Sequence, residues 1–227
     1  MSQTREPSSA TPPSEAWRSV VQEAVSAPAE EVARELLGWH LITEVEGLRT
    51  EGRIIETEAY VGAHDPACHG ATRTGRTARN AVMFGPPGRA YVYFIYGMHW
   101  CFNVVTGRPG SPEAVLVRAL EPLAGLPAMA RRRGRERDLT NGPARLCQAL
   151  GIDGDLDGHD LTRFPVRLRP SDVPVGEVRV SGRIGIRRAR DWPLRFFLPG
   201  SSHLSSGPHL EADELRSRVP SPPTTQE

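Results

Sequence analysis

Two glutamates in one short apolar segment are the first residues that could do chemistry. Glu56 and Glu58 lie in the run Ile54-Ile55-Glu56-Thr57-Glu58-Ala59-Tyr60. In a strand, the period of two puts both carboxylates and Tyr60 on one face. A carboxylate beside an aromatic ring can act as a general base towards water, and a pair can serve as acid and base, as in sugar hydrolysis. The pattern does not choose between the two glutamates, and a solvent-facing strand would also produce it.

Three of the four tyrosines in the chain fall within eight residues, at Tyr91, Tyr93 and Tyr96. Flat, amphipathic rings concentrated in this way can form a stacking surface for a nucleobase, although a β-rich core would give the same pattern. Tyr96 precedes Gly97 at the expected end of a strand, where a ring can project as a wedge.

Arg118 interrupts the apolar run Ala114-Val115-Leu116-Val117-Arg118-Ala119-Leu120. A buried guanidinium needs a carboxylate to offset its desolvation, and Glu58 or Glu121 is the expected partner. An edge strand with its arginine in water would fit the spacing equally well.

Possible metal ligands also lie close together, at His64, Asp65, Cys68 and His69. Zinc needs three or four convergent ligands, and neither a Cys-x-x-Cys nor a His-Glu-x-x-His motif is present. We therefore expect no metal and no other cofactor. A metal-dependent hydrolase built on His64, Asp65 and His69 is the least favoured hypothesis.

The elements that must position these residues are those of an α+β domain. A helix is predicted over about residues 28–37, and a hairpin over residues 41–45 and 53–60. The segment 62–80 predicts a long loop with a functional role. Further strands are predicted at residues 90–96, 102–105, 114–120, 175–180, 183–186 and 194–198, and further helices at about 122–133 and 142–150. We expect a single domain with a curved antiparallel or mixed sheet and surrounding helices.

Both ends of the chain combine proline with small polar residues, which bury too little apolar surface to offset the entropy of ordering. The sequence predicts disordered tails over residues 1–27 and 203–227, and one globular domain over residues 28–202. No apolar run approaches the ~18–20 residues that cross a bilayer, and no secretory signal precedes the domain. With only three cysteines, we expect a cytoplasmic monomer without membrane contact.

The basic residues exclude several kinds of catalyst. All 28 are arginine, so a lysine Schiff base, a lysine general base and a P-loop lysine are excluded. Arginines concentrate within residues 131–137 and 183–195. They could neutralise phosphates along a nucleic-acid backbone, although a solvated or salt-bridged surface would look the same.

Five blocks of sequence, in order and at compatible spacing, together resemble the alkyladenine DNA glycosylases, also called 3-methyladenine DNA glycosylases. The resemblance runs from about residue 29 to 202. The blocks are Gly52 to Tyr60, Arg76 to Phe84, Tyr91 to Asn103, Val117 to Pro122 and Asn141 to Leu150.

The resemblance implies a monofunctional enzyme that removes alkylated or deaminated purines from double-stranded DNA without a metal or a covalent intermediate. Glu58 matches the base that activates water, and Arg118 matches the residue that helps to hold that water. The absence of lysine agrees with this class, because the lyase reaction needs an amine nucleophile. A bacterial source would place the protein at the nucleoid through its DNA.

The same resemblance assigns the residues around the flipped base. Tyr60, His69 and Tyr93 match the pocket walls. Tyr96 matches the side chain inserted into the vacated base stack, and Asn103 matches the residue that excludes the 2-amino group of guanine. The rival hypothesis is a non-catalytic module that uses the same tyrosines to bind damaged nucleic acid.

Overall fold

A long central strand organises the sheet. The computed structural model describes residues 15–68 and 75–205. In these ranges β2 has 13 residues and is hydrogen-bonded along its length to three other strands, β1, β5 and β8. The strands are β1 (His40–Val45), β2 (Leu48–Tyr60), β3 (Ala90–Ile95), β4 (His99–Thr106), β5 (Glu113–Ala124), β6 (Val166–Arg169), β7 (Arg179–Ser181) and β8 (Arg195–Phe197).

All the strand pairs described are antiparallel, and the main path of the sheet runs β3-β4-β5-β2-β1-β6. β8 pairs with β2, and β7 pairs with β8. Glu58 lies opposite Leu116 of β5 and Arg195 of β8. Register irregularities flank Glu56 on its β5 side, and bulges of this kind increase the local twist of a strand. The sheet therefore curls around the segment that carries both glutamates.

Two tight turns fix the registers of the hairpins. Glu46 and Gly47 join β1 to β2 with φ angles of 55° and 71°. Tyr96, Gly97 and Met98 join β3 to β4, the first two with φ angles of 55° and 68°. Two successive positive φ values match the twist of antiparallel strands at a tight turn, and glycine adopts the second at little cost. Tyr96 is thereby held at the very tip of its hairpin.

Four α-helices cover one face of the described sheet: α1 (Glu15–Val25), α2 (Ala29–Glu35), α3 (Leu126–Arg133) and α4 (Pro143–Leu150). The core between helices and sheet is aliphatic, with Val32, Leu36, Leu146 and Leu150 fully buried against strand residues such as Ile54. Proline lies in the first turn of α3 and of α4, and a left-handed glycine follows each, as is typical of helix starts and ends.

The predicted α+β domain with a curved antiparallel sheet is confirmed, and several boundaries are corrected. β5 continues to Ala124 before α3 starts at Leu126, so the helix predicted from residue 122 begins later. Residues 183–186 form no strand in the structure, because Arg183 turns inwards to an ion pair. β6, at residues 166–169, was not predicted.

The packed part of the chain also extends beyond the predicted limits of residues 28 and 202. α1 precedes residue 28 and buries Val21 and Val25 in the main core. At the other end Ser205 is buried and hydrogen-bonded to Glu56. Because the N-terminal flank is rich in proline, the sequence analysis did not predict α1, although its apolar residues recur at helical spacing. Residues 1–14 and 206–227 lie outside the described residues.

None of the helices in the described ranges has both the length and the apolar character needed to cross a membrane.

The position of α1 in the core is testable with neighbouring valines. Val21 is fully buried, whereas Val20 of the same helix is about half exposed. Val21→Ala should lower the free energy of unfolding by about 2 kcal/mol, because it removes buried methyl groups and leaves a cavity. Val20→Ala should change it by less than about 0.5 kcal/mol. Urea unfolding of both variants checks this, and equal effects would show that α1 does not pack on the domain in solution.

Candidate active site

Glu58 is fully buried on β2 and is surrounded by hydrogen-bond donors. Its Oε1 accepts from the backbone N–H of Ile184 at 2.7 Å and lies 3.1 Å from an Nη of Arg118. Its Oε2 accepts from the hydroxyl of Tyr60 at 3.0 Å. The interpretation of Glu58 as a solvent-facing strand residue is therefore wrong, and the carboxylate is held in a fixed orientation.

Arg118 bridges the two glutamates of β2. Its Nε donates to Oε1 of Glu56 at 3.1 Å while an Nη contacts Glu58. Glu58, one of the two partners expected from the sequence, therefore contacts Arg118, and Glu56 is a further partner. Glu121, the other expected partner, instead pairs with Arg53 at the surface. Opposite charges on both sides raise the pKa of Arg118, although its burial acts the other way. Arg118 is therefore a permanent cation beside Glu58.

Glu56 lies in an ion cluster with Arg195, Arg118 and Ser205. Its Oε1 accepts from Nε of Arg195 at 2.7 Å and from the hydroxyl of Ser205 at 2.7 Å. Its Oε2 accepts from the backbone N–H of Ser205 at 2.7 Å. Burial alone would raise the pKa of Glu56, but Arg195, Arg118 and Ser205 together lower it. In the described part of the chain, Glu58 contacts three residues that line a cavity, Tyr60, Arg118 and Ile184, whereas Glu56 contacts Arg118 alone of these.

That cavity has a volume of about 560 Å³, within the range of about 300–1,000 Å³ usual for ligand pockets. Tyr60, Tyr91, Tyr93, Asn103 and Arg118 lie in its wall. The rings of Tyr91 and Tyr93 have centroids 5.3 Å apart. The tyrosines are therefore pocket residues, and the purely structural interpretation of this strand is insufficient.

The hydroxyls of the pocket remain protonated at neutral pH. Burial and the nearby Glu58 carboxylate raise the pKa of Tyr60 well above its ordinary value. Burial and Cys101, which is hydrogen-bonded to Tyr93, do the same for Tyr93. Each phenol is therefore a neutral ring with a donor group, and Tyr60 uses its donor on Glu58.

Asn103 is buried in β4 and lines the same cavity. Its side-chain N–H donates to the backbone carbonyl of Tyr91 at 2.9 Å. This bond fixes the orientation of the amide in the cavity wall, because its nitrogen is held on β3.

Tyr96 extends into solvent at the mouth of the cavity, with 77% of its surface exposed. Met98, on the other side of Gly97, is also largely exposed. Below them the rings of Phe94 and Trp100 pack with centroids 4.7 Å apart, which supports the hairpin. An exposed apolar tip beside a pocket mouth is unusual for a solvated surface and marks a contact region.

The two arginine clusters differ in what they contact. Within residues 131–137, Arg132 donates to the carbonyls of Val45 and Ala149, and Arg135 pairs with Asp138. In the second cluster, Arg183 and Arg195 are buried on carboxylates, so these two cannot neutralise phosphates. Exposed arginines follow the pocket residues Ile184 to Ile186 directly, at Arg187, Arg188 and Arg190.

The predicted wall residue His69 lies outside the described residues. In the ranges that the structure does describe, no group of three or more histidine, cysteine and acidic side chains could hold a metal ion. Asp65, considered as a ligand in the sequence analysis, is occupied by Arg183.

The chain matches the family model of the methylpurine-DNA glycosylases over residues 23–202. The chain belongs to this family. It is 51% identical over 178 residues to a protein of Carboxydothermus hydrogenoformans named "Putative 3-methyladenine DNA glycosylase", covering 77% of this chain and 92% of that protein. Proteins with the same name from Myxococcus xanthus and Methanoculleus marisnigri are 50% and 49% identical over 185 and 180 residues. The match to the Myxococcus xanthus protein covers 80% of this chain and 90% of that protein. The match to the Methanoculleus marisnigri protein covers 77% of this chain and 92% of that protein.

Membership of the methylpurine-DNA glycosylase family makes the protein a DNA-repair hydrolase that cleaves N-glycosidic bonds in DNA. The resemblance found in the sequence is thereby confirmed. The structure brings together at one cavity and its mouth Arg118, Tyr60, Tyr93, Asn103 and Tyr96. Glu58 contacts two of these residues, Tyr60 and Arg118. Their individual roles in the glycosylase remain predictions.

Sequence reasoning missed several residues of the glycosylase site. The Ile184 amide that donates to Glu58 carries no side-chain signal, and Ser205 lies beyond the matched region. Arg183 and Arg195 were grouped with exposed arginines because nothing in the sequence distinguishes a buried guanidinium from a solvated one. The carboxylates that they contact, Asp65 and Glu56, are far away along the chain.

The ion cluster around Glu56 predicts a pH-dependent stability. A carboxyl whose pKa is lower folded than unfolded stabilises the fold above its unfolded pKa of about 4.3, and the effect is lost as the pH falls through the folded value. Glu56→Gln should cost about 3–5 kcal/mol at neutral pH, because Arg195 and Arg118 are left buried without their carboxylate.

The measurement is urea unfolding of both proteins between about pH 3 and 7. The difference between wild type and Glu56→Gln should shrink below the unfolded pKa of about 4.3, because Glu56 then binds a proton more readily in the unfolded chain than in the folded one. As a control, Glu121→Gln at the surface should cost less than about 1 kcal/mol throughout. A difference that does not vary with pH would contradict the assignment.

Proposed function

We propose that the protein flips 3-methyladenine and related alkylated or deaminated purines out of double-stranded DNA and hydrolyses the N-glycosidic bond with a water activated by Glu58. The observation that carries this proposal is one fully buried carboxylate, held by Arg118 and Tyr60, beside an aromatic cavity of about 560 Å³. The names of the relatives support the choice of lesion.

Base flipping is required because the target bond lies inside the base stack, where a buried carboxylate cannot reach it. The hairpin tip supports this step. Tyr96 extends at the mouth of the cavity, so it can enter the stack while the flipped nucleotide enters the pocket. Filling the gap offsets part of the unstacking, which costs a few kcal/mol.

Selection of alkylated purines follows from the ring faces in the cavity. A purine methylated at a ring nitrogen is cationic, and the faces of Tyr60 and Tyr93 attract a desolvated cation by about 1–2 kcal/mol. Because both phenols stay neutral and electron-rich, this attraction favours damaged over normal purines. His69 is proposed as a further wall residue from the resemblance alone.

Asn103 is proposed to reject guanine. Its amide is tied to Tyr91 and cannot turn freely to accommodate a new group. A guanine 2-amino group meeting this fixed side chain would lose affinity by about 1–3 kcal/mol, the usual scale of steric discrimination in a pocket.

In the hydrolysis itself, the donor count on Glu58 indicates which oxygen acts. A carboxylate oxygen accepts two hydrogen bonds. Among the described residues, Oε1 has two donors, from Ile184 and Arg118, whereas Oε2 has the hydroxyl of Tyr60. Oε2 is therefore the oxygen that takes the proton of a water.

Electron flow follows from this assignment. The water oxygen forms a bond to C1′ of the sugar, and the base leaves with the electron pair of the N-glycosidic bond. The carboxylate stabilises the positive charge that develops on the sugar and accepts the water proton. Arg118 keeps Glu58 oriented and helps to hold the water.

The alternative, a non-catalytic binding module for damaged nucleic acid, would need the tyrosine surface but not the carboxylate. Burying a charged glutamate beside the cavity costs desolvation free energy. A module that only binds DNA does not need this carboxylate, so its burial favours the enzyme. Release of free base from alkylated DNA separates the two hypotheses.

Glu58→Gln keeps the shape of the side chain and removes the proton acceptor. Single-turnover release of 3-methyladenine from a duplex should fall by at least about a hundredfold, the usual contribution of a general base. Binding to the lesion duplex should stay close to that of wild type. Glu121→Gln, a surface carboxylate on β5, serves as control and should keep full activity. Retained excision by a folded Glu58→Gln protein would overturn the proposed role.

The hairpin tip provides a second test. Tyr96→Ala should slow excision from duplexes by about tenfold, because the vacated stack is left unfilled and the base re-enters it. Excision from a single strand should change much less. Met98→Ala removes a comparably exposed side chain from the same turn region and should have little effect. Equal losses in both variants, or on both substrates, would argue against a role for Tyr96 in filling the stack.

A further inference from the structure

A second buried ion pair lies directly behind the Glu58 site. The two terminal nitrogens of the Arg183 guanidinium donate to the Asp65 carboxylate, Nη1 to Oδ2 at 2.5 Å and Nη2 to Oδ1 at 2.8 Å. Both side chains are fully buried. A bidentate pair of this kind fixes distance and orientation at the same time.

Arg183 also fastens the strand that carries Glu58 and Tyr60. Its Nη1 donates to the backbone carbonyl of Ala59, the residue between them, at 2.9 Å. Its guanidinium carbon lies 4.8 Å from the centre of the Tyr60 ring. One side chain therefore contacts the β2 backbone, the Tyr60 ring and the loop that contains Asp65.

The residue after Arg183 connects this pair to the proposed chemistry. The backbone N–H of Ile184 donates to Oε1 of Glu58 at 2.7 Å, and Ile184 to Ile186 line the cavity. These residues belong to a segment without regular secondary structure. Packing within a helix or strand therefore does not hold the amide in place. The residue before it, Arg183, is bonded to Ala59 and Asp65.

We propose that Asp65 and Arg183 are positioning residues that hold the Ile184 amide on Glu58 and the ring of Tyr60 in the pocket wall. The inference rests on the proposed role of Glu58. The pair contributes by keeping Glu58 oriented, because it fixes both the amide that donates to Oε1 and the β2 backbone beside Glu58. Neither residue contacts the reacting atoms.

The test replaces the pair by neutral side chains of similar size, Asp65→Asn with Arg183→Met, so that no lone charge is left buried. The matched control is Glu51→Gln with Arg169→Met. Glu51 is also a buried carboxylate, bonded to Arg169 at 2.6 Å and to His40 and Arg49, and lines no part of the cavity.

Single-turnover excision by the Asp65/Arg183 double variant should fall about ten- to hundredfold, the scale expected when a catalytic group is misplaced slightly. The control variant should keep the wild-type rate at comparable thermal stability.

Amide hydrogen exchange supplies a readout that does not depend on activity. The Ile184 N–H should lose protection in the Asp65/Arg183 variant and keep it in the control. Arg183→Lys, which retains the cation but not the bidentate contact, should recover only part of the rate and of the Ile184 protection.

The outcomes separate this inference from the proposed function. If Glu58→Gln abolishes excision while the Asp65/Arg183 variant behaves like its control in rate and Ile184 exchange, the positioning role is wrong and the function stands. If Glu58→Gln retains excision, the proposed function itself fails, whatever the exchange of Ile184 shows.

Discussion

The arrangement of the site depends on burying carboxylates in the sheet without leaving a charge uncompensated. Glu56, Glu58 and Asp65 are fully buried, and Arg195, Arg118 and Arg183 lie against them. Each acid taken alone would cost several kcal/mol to bury. The three guanidinium groups offset that cost, and they come from β8, from β5 and from the segment after β7. The need for compensation therefore draws distant parts of the chain together around β2.

This constraint also explains how stability and the proposed catalysis share one structure. Glu56 is held by Arg195, Arg118 and Ser205, so it acts as an anchor. Arg118 then extends from this anchor to Glu58. The position of the proposed catalytic carboxylate is set through Arg118 by three residues that do not line the cavity, Glu56, Arg195 and Ser205. A site built on such a rigid support loses little entropy when the substrate binds.

Much of the fold was predictable because strand and helix periods and turn residues are local properties of the sequence. The hairpin of β1 and β2 and the proline and glycine limits of α4 are examples. α1 was missed since its apolar spacing lies among prolines. The site was predictable where side-chain type carries the chemistry, as at Glu58 and Tyr93. The pairing of Asp65 with Arg183 was not, because it joins residues 118 positions apart, and only tertiary packing decides which arginines are buried.

The choice of arginine over lysine has a chemical consequence for the proposed reaction. Neighbouring carboxylates raise the pKa values of Arg118 and Arg183 further, despite their burial. A buried lysine in either place could release its proton and leave Glu58 without a cation. With arginine, the cations beside Glu58 persist at every pH at which the protein folds. In the proposed reaction Glu58 is then the group that accepts the proton of the water. Because the charges of the cluster balance, a cationic purine is selected by the faces of the tyrosine rings.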